Sequence, residues 1–273
     1  MFQKFSVAMA VYRADNAADF ATAVHSIYTT QMQRPQEVIV VVDGPIPATL
    51  ESTLQALGNE VPLKIVRFPE NRGHAAARQA GLEAASNDLV AIMDADDIAV
   101  PDRFARQISA FEAYPEVSVV GGQIKEFIET TDNIVGERIV PGNDAEIKQY
   151  LKSRCPMNLV TVMYRKSDVM AAGGFMDWYC EEDYYLWIRL AEHGYKFHNV
   201  ADNLVNVRVG KEMYQRRGGW RYFKSEARLQ GYMLSHKLIG FPRYAFNVAG
   251  RFAVQVAMPN RLRGFVFQKL FRN

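Results

Sequence analysis

At 273 residues, 49% of them hydrophobic and 12% aromatic, the chain has enough apolar material for one large α/β domain with an appendage, which excludes a disordered or fibrous protein. Two cysteines, Cys155 and Cys180, lie too far apart for metal-ligand spacing and argue against a disulfide framework, so a reducing compartment is expected. The net charge of +2 conceals an acidic body and a basic tail: from Arg208 onward fourteen Lys/Arg face two acids, leaving eighteen basic against twenty-eight acidic residues before it.

The N-terminal stretch is too short and too interrupted for a signal peptide and reads as a first strand, residues 5–11, ending at Val11, Tyr12 and Asp15. Asn16 is placed to cap a helix reaching about residue 30. A second strand over 37–42 stops at Asp43-Gly44-Pro45, a helix follows over 49–57, and a third strand over 63–66. Asn71-Arg72-Gly73 then opens a helix whose Ala75, Ala76, Ala77, Ala80, Ala84 and Ala85 keep it thin enough to pack closely on a sheet. The apolar run 89–93 is a strand covered on both faces, and it ends in Asp94-Ala95-Asp96-Asp97. This β-α alternation predicts a mostly parallel sheet flanked by helices.

In such a sheet, ligands sit beyond the carboxyl ends of the strands. Carboxylates crowded there repel one another unless a cation lies between them, and oxygen-only ligation suits Mg or Mn. The plainer reading is a solvated turn with a helix cap before Pro101. His74 and Arg78 share a helix face near its N-terminus, where unpaired N–H groups attract anions; with Arg72 they form either a diphosphate contact or an exposed basic face.

Beyond Pro101 the pattern predicts a helix over 103–113, a strand over 117–124, a hairpin over 128–140, a helix over 144–151 and a strand over 160–164. The Gly173-Gly174 bend precedes Glu181-Glu182-Asp183, in the first turn of a helix carrying Leu186, Trp187 and Leu190. The helix dipole at that end favours an ionised carboxylate, although helix capping accounts for the same acids. Two closing strands, 196–200 and 204–209, are expected next.

The order of these pieces resembles family 2 glycosyltransferases of the GT-A fold, over roughly the first two hundred residues. The resemblance implies an inverting transfer from a nucleotide-diphosphate sugar, most plausibly a UDP-sugar, with a divalent metal (Mn or Mg). It implies a donor site of Val11, Tyr12, Asp15, Asp43, Arg72, Gly73, His74, Arg78, Asp94, Ala95 and Asp96, with Asp43 on the uracil. Asp96 and Asp94 would be the metal residues, and Asp183 the general base supported by Glu182. Relatives often carry His where Leu159 and Gly210 stand, so no acceptor contact or histidine ligand carries over to those positions.

Residues 1–210 are expected to form the catalytic domain and residues 211–273 a helical C-terminal region, where Lys/Arg interleave with aromatics. Such helices either lie in a membrane interface, here the inner face of the cell membrane, or pack on the catalytic domain. No nucleic-acid signature appears. Arg216-Arg217-Gly218-Gly219-Trp220 resembles a segment of capsule and exopolysaccharide transferases, which implies a lipid-linked glycan acceptor. Two rivals stand beside this reading. A nucleotidyltransferase would need a Gly-rich loop with Arg and Lys after strand one, which residues 11–15 lack; a non-catalytic partner that kept the fold would bind nucleotide without turnover.

Overall fold

The computed structural model describes residues 3–210 and 218–258; the Arg216-Arg217 pair and the basic segment after residue 258 lie outside the described residues. Strands β1 (Phe5–Val11), β2 (Glu37–Val42), β3 (Leu63–Arg67) and β4 (Leu89–Met93) pair in parallel in the order β3-β2-β1-β4. Helices α1 (Ala17–Ile27), α2 (Ala48–Leu57) and α3 (His74–Ala84) make the crossovers. Both faces are covered, as the unbroken apolar runs require. Val38, Val40 and Val42 enter one core with Phe20, Val24 and Leu54, while Ile39 and Val41 enter the other with Ala77 and Leu82.

Local chemistry sets the helix ends. Asn16 Oδ1 accepts from the Ala18 and Asp19 amides at 2.8 and 3.1 Å, satisfying two of α1's orphan donors. At its other end α1 stops at Ile27, short of residue 30, because the Tyr28, Thr29 and Thr30 amides all turn onto the His25 carbonyl. α3 lies close on the sheet: a Cβ at Gly81 would stand 3.1 Å from Ala8 Cβ and 3.6 Å from Val41 Cγ2.

The second half of the nine-stranded sheet is mixed. β8 (Met163–Arg165) runs antiparallel between β4 and β6 (Val117–Phe127), and β9 (Lys196–Arg208) lies parallel to β6. The two-residue β5 (Ile98–Ala99) caps β9, and β7 (Ile134–Arg138) pairs antiparallel on β6 as the expected hairpin. Two expectations need correction. Residues 160–164 are not one strand: Leu159–Thr161 is a 3-10 turn, held by Thr161 Oγ1 on the Asn158 carbonyl at 2.7 Å, before β8 begins. The two closing strands are one, because β9 absorbs its irregular middle through register shifts against β6 around Gly121 and Gln123. Helix α4 (Arg103–Ala113) and α5 (Asp144–Leu151) occur as expected; the short α6 (Lys166–Ala171) has no counterpart in the sequence reading.

Helix α7 (Glu182–Glu192) packs between the sheet and the C-terminal pair, α8 (Trp220–Ser235) and α9 (Phe241–Phe252), which ends in a π turn at Ala253–Ala257. Leu229, Met233 and Ile239 share the buried cluster of Leu186, Trp187 and Leu190. Trp178 Nε1 donates to the Ser225 carbonyl and Ser225 Oγ to the Tyr179 carbonyl, so α8 is bonded to the turn before α7 as well as packed on it.

Gly81→Val tests the close approach of α3. Two extra methyl groups beyond a Cβ already at 3.1 Å should overpack the contact and cost about 1–3 kcal/mol, read as a lower urea midpoint. An unchanged midpoint would mean that α3 can move off the sheet freely.

Candidate active site

The carboxyl ends of β1, β2 and β4 border a cavity of about 710 Å³. Val11, Tyr12, Asp15, Asp43, Gly73, His74, Arg78, Asp94, Ala95 and Asp96 all line it. Arg72 does not; its guanidinium stacks 4.7 Å from the Phe68 ring centre. Asp43 and the loop before α3 are built together. Its carboxylate accepts from the Arg72 amide at 2.6 Å, the Gly73 amide at 2.9 Å and Asn71 Nδ2 at 2.9 Å. Gly44 allows this approach, with φ +85° and no room for a Cβ, which would stand 2.7 Å from the Asn71 nitrogen. Asp43 therefore shapes the mouth of α3 whatever else it touches.

The acidic end of β4 carries more charge than its neighbours balance. Burial raises the Asp97 pKa well above its ordinary value, and Asp94 and Asp96 raise it further. Burial and the Asp94 charge likewise raise Asp96. Asp15, whose Oδ2 accepts from the Tyr12 amide at 2.8 Å, is pushed up to about 6 by burial and by repulsion from Asp96 and Asp94, with the Tyr12 bond opposing. This oxygen-rich corner fits a hard divalent ion. Asp94 and Asp96 are its candidate holders, and among the described residues no group of three or more His, Cys, Asp and Glu completes a protein-only shell. Remaining positions would be left to ligand oxygens and water.

The sequence reading took Asp97 only as one of the crowded carboxylates and gave Arg208 and Arg103 no part in this corner. Asp97, 3% exposed, accepts the Arg208 amide at 2.8 Å. Arg208 also pairs with Asp19 at 2.8 Å and donates to the Asp96 and Glu129 carbonyls, tying β9 to the acidic loop. Fully buried Arg103 donates to the Ile92 carbonyl at 2.7 Å from beneath; burial lowers its pKa to about 9 against the pull of the Asp97 and Asp94 charges. Its signal was available: Arg103 and Gln107, four apart, share the α4 face of Phe104 and Phe111.

A second cavity, of about 380 Å³, lies against the start of α7 and is lined by Asp183, Glu181 and Cys155. Arg78, in the wall of the first cavity, reaches from the end of β4 to the start of α7. One end of its guanidinium is 3.6 Å from Asp94, and the other pairs with Glu182, both partners of that pair being 13% exposed. Burial alone would lower the Arg78 pKa, but Asp94, Glu182 and Asp183 together raise it, so the guanidinium is held charged. Asp183 departs from expectation in one respect. The start of α7 was expected to keep it readily ionised, yet burial and the Glu182 charge raise its pKa, outweighing Arg78 and the Tyr184 amide at 2.7 Å. Acids from β4 and α7 thus meet on one arginine, but Asp94 and Asp96 line one cavity and Asp183 the other, rather than a single cleft.

The family model for Glycosyl transferase family 2 matches residues 6–175. The amylovoran biosynthesis glycosyltransferase AmsE of Erwinia amylovora is 34% identical, covering 97% of this chain and 98% of its own. The UDP-Gal:alpha-D-GlcNAc-diphosphoundecaprenol beta-1,3-galactosyltransferase of Escherichia coli is 30% identical over 98% of this chain and 97% of its own. Among solved structures, S. aureus TarS 1-349 in complex with UDP aligns with a TM-score of 0.66 at 17% identity, over 96% of this chain and 74% of that one. The mannosyltransferase PcManGT from Pyrobaculum calidifontis in complex with GDP-Man and Mn2+ aligns at 0.61 and 18% identity, over 98% and 80%. At these identities the two structures speak to the fold alone.

The Asp15 shift has a stability consequence. Its pKa is raised from 3.8 to about 6 in the fold, so the native state holds the extra proton between those values and stability falls as pH rises through them. Without divalent cation, the wild-type melting temperature should therefore fall more steeply than that of Asp15→Asn between about pH 4 and 6.5. Parallel curves would show that Asp15 titrates normally.

Proposed function

This chain belongs to glycosyl transferase family 2, and within that family we propose that it is a metal-dependent, inverting enzyme moving a sugar from a UDP-sugar to a lipid-linked glycan in bacterial surface-polysaccharide synthesis. The observation that carries the reading is Arg78, which holds a carboxylate of the nucleotide-sized cavity and the acid beside Asp183 on one guanidinium. With Glu182 next to Asp183 in the chain, this pairing supports a donor and a base that lie near one another.

In this reading the nucleotide lies over the ends of β1 and β2, with Tyr12 and Asp15 on one side and Asp43 facing the base. His74 and the first turn of α3 meet the diphosphate, where unpaired amides favour an anion. Asp96 and Asp94 would hold the divalent ion, Asp94 nearer the ribose or sugar. When bound, the ion neutralises charge developing on the leaving diphosphate. Arg78 keeps Asp94 and Glu182 apart from each other while leaving Asp183 free to take a proton. A raised Asp183 pKa favours that role, because a base titrating closer to working pH binds the departing proton more strongly. The acceptor hydroxyl, losing its proton to Asp183, attacks the anomeric carbon opposite the leaving diphosphate, and the configuration inverts.

The lipid-linked acceptor follows the activity for which the E. coli relative is named, and the surface polysaccharide follows the biosynthesis for which AmsE is named. Peripheral attachment to the inner membrane face has separate support. Trp220, Phe241, Phe246 and Phe252 are exposed on α8 and α9, with Arg221, Lys224, Arg228 and Arg243 on the same helices. Each such cation near an anionic leaflet contributes about 1 kcal/mol. No helix among the described residues is long and apolar enough to cross a membrane.

Purified protein with Mn and a panel of UDP-sugars should release UDP; pyrophosphate release would point to nucleotidyl transfer instead, and UDP binding without turnover to a non-catalytic partner. Asp183→Asn should lower transfer by about 100- to 10,000-fold while UDP affinity stays within about twofold. Asp96→Ala should abolish the response of the rate to added Mn. Transfer that survives Asp183→Asn would remove Asp183 as the base.

A further inference from the structure

The hairpin strand β7 and the loop over residues 155–158 meet at one side chain. Arg138, the last residue of β7, donates from Nη2 to the Cys155 carbonyl at 2.6 Å. From Nη1 it donates to Asn158 Oδ1 at 2.8 Å and to the Met157 carbonyl at 3.3 Å. All three acceptors are neutral oxygens, so these bonds fix the guanidinium without cancelling its charge. The sheet holds the rest of the loop: Asn158 Nδ2 donates to the Gly122 carbonyl at 2.8 Å, and Asn199 Nδ2 to the Pro156 carbonyl at 3.2 Å. Arg138 takes the end at Cys155, whose thiol sulfur lies 3.8 Å from Asp183 Oδ2. The other oxygen of that carboxylate, Oδ1, accepts the Tyr184 amide.

We propose that Arg138 is a positioning residue for the general base: by clipping residues 155–158 beside the start of α7 it seats the Cys155 thiol on Asp183, and its own charge favours the ionised carboxylate. The assignment rests on Asp183 being the base, as proposed above. Three observations support it. First, Arg138, Cys155 and Asp183 line the same cavity, whereas Arg78 lines the other. Second, the thiol is held as a donor. Burial raises the Cys155 pKa well above its ordinary value and the Asp183 charge raises it further, so the sulfur keeps its proton. Its two acceptors are Asp183 Oδ2 and the Met157 carbonyl at 3.5 Å, and one proton serves one acceptor at a time. An ionised carboxylate is the stronger of the two. Third, the charges facing Asp183 leave Arg138 a distinct part. Glu182, on the same helix, opposes ionisation; Arg78 from α3 and Arg138 from β7 favour it. Arg78 divides its charge between Asp94 and Glu182, whereas Arg138 bonds only neutral oxygens. From the C-terminal helices, Glu226 and Arg251 reach the cavity already paired at 2.9 Å, and Arg154 and Glu181 line it as well.

Charge and clip are separable by substitution. Arg138→Met removes both, Arg138→Lys keeps the charge without the fork, and Cys155→Ala removes only the thiol. Cys180→Ser is the control, a thiol of the same cavity that bonds Tyr179 instead. Labelled UDP-sugars and washed membranes of the source cells supply donor and acceptor, and kcat is followed across pH. Arg138→Met should lower kcat by about 100-fold while UDP affinity stays within about twofold. Its acid limb should also move to higher pH, because a carboxylate that loses a neighbouring cation ionises later. Arg138→Lys should lose about tenfold in kcat with the limb where wild type has it. Cys155→Ala should lose about two- to tenfold, the worth of one modest hydrogen bond. Cys180→Ser should behave as wild type. A purely structural Arg138 would cost rate without moving the limb, so an unmoved limb in Arg138→Met overturns the proposal, as does wild-type kcat. Should Arg138→Met fail to bind UDP and so to fold, wild-type transfer by both Arg138→Lys and Cys155→Ala overturns it instead. Transfer that survives Asp183→Asn shows a different failure, that of the base assignment beneath.

Discussion

The arrangement turns on one guanidinium placed among three acids. Arg78 is supplied by α3, Asp94 by the end of β4, and Glu182 and Asp183 by the start of α7. A cation this deeply buried is stable only while its partners stay charged and close, and breaking such a pair costs about 3–5 kcal/mol because it strands the remaining charge. The geometry thereby locks three elements, far apart in sequence, into one relative position. Gly81 and the alanines of α3 make this possible, since a bulkier helix would stand too far from the sheet for Arg78 to reach Asp94.

The two cavities differ in electrostatic character. At the first, Asp15, Asp96 and Asp97 all have raised pKa values, because burial and mutual repulsion disfavour their ionised forms. Such a corner stores unfavourable charge that a cation would relieve. Arg103 and Arg208 relieve part of it from below and behind, but their hydrogen bonds go mainly to backbone carbonyls. The second cavity is paired within itself, Arg251 with Glu226 and Tyr222 with Glu181 at 2.7 Å.

The C-terminal helices contribute more than a surface. Leu229, Met233 and Ile239 lie in the same apolar cluster as the core of α7, which the partly buried Tyr185 joins, its ring tilted against that of Trp178 with 4.5 Å between centres. Arg228 covers Trp178 and Arg221 covers Tyr179, so part of the basic charge read in the tail is spent on aromatic faces of the body. The remaining exposed rings, Trp220, Phe241, Phe246 and Phe252, keep an apolar side outward. Packing and an outward face therefore coexist on these helices, which the sequence reading had set against each other.

The parallel half of the sheet, the Asn16 cap, the thin α3 and the placement of Asp94–Asp97 at a strand end were legible in residues alone, because each follows from periodicity or from contacts a few positions apart. The start of α7 at Glu182 and Asp183 was legible for the same reason. Hidden from the sequence were the partners of Arg78, the occupation of both Asp43 oxygens, the buried station of Arg103, the merging of β9 and the two-walled second cavity. Each joins groups separated by tens to more than a hundred residues, as Arg78 and Glu182 are by 104. Local pattern records which side of an element is apolar; only the packed chain decides which charges those sides bring together, since pairing depends on distances set by every intervening contact.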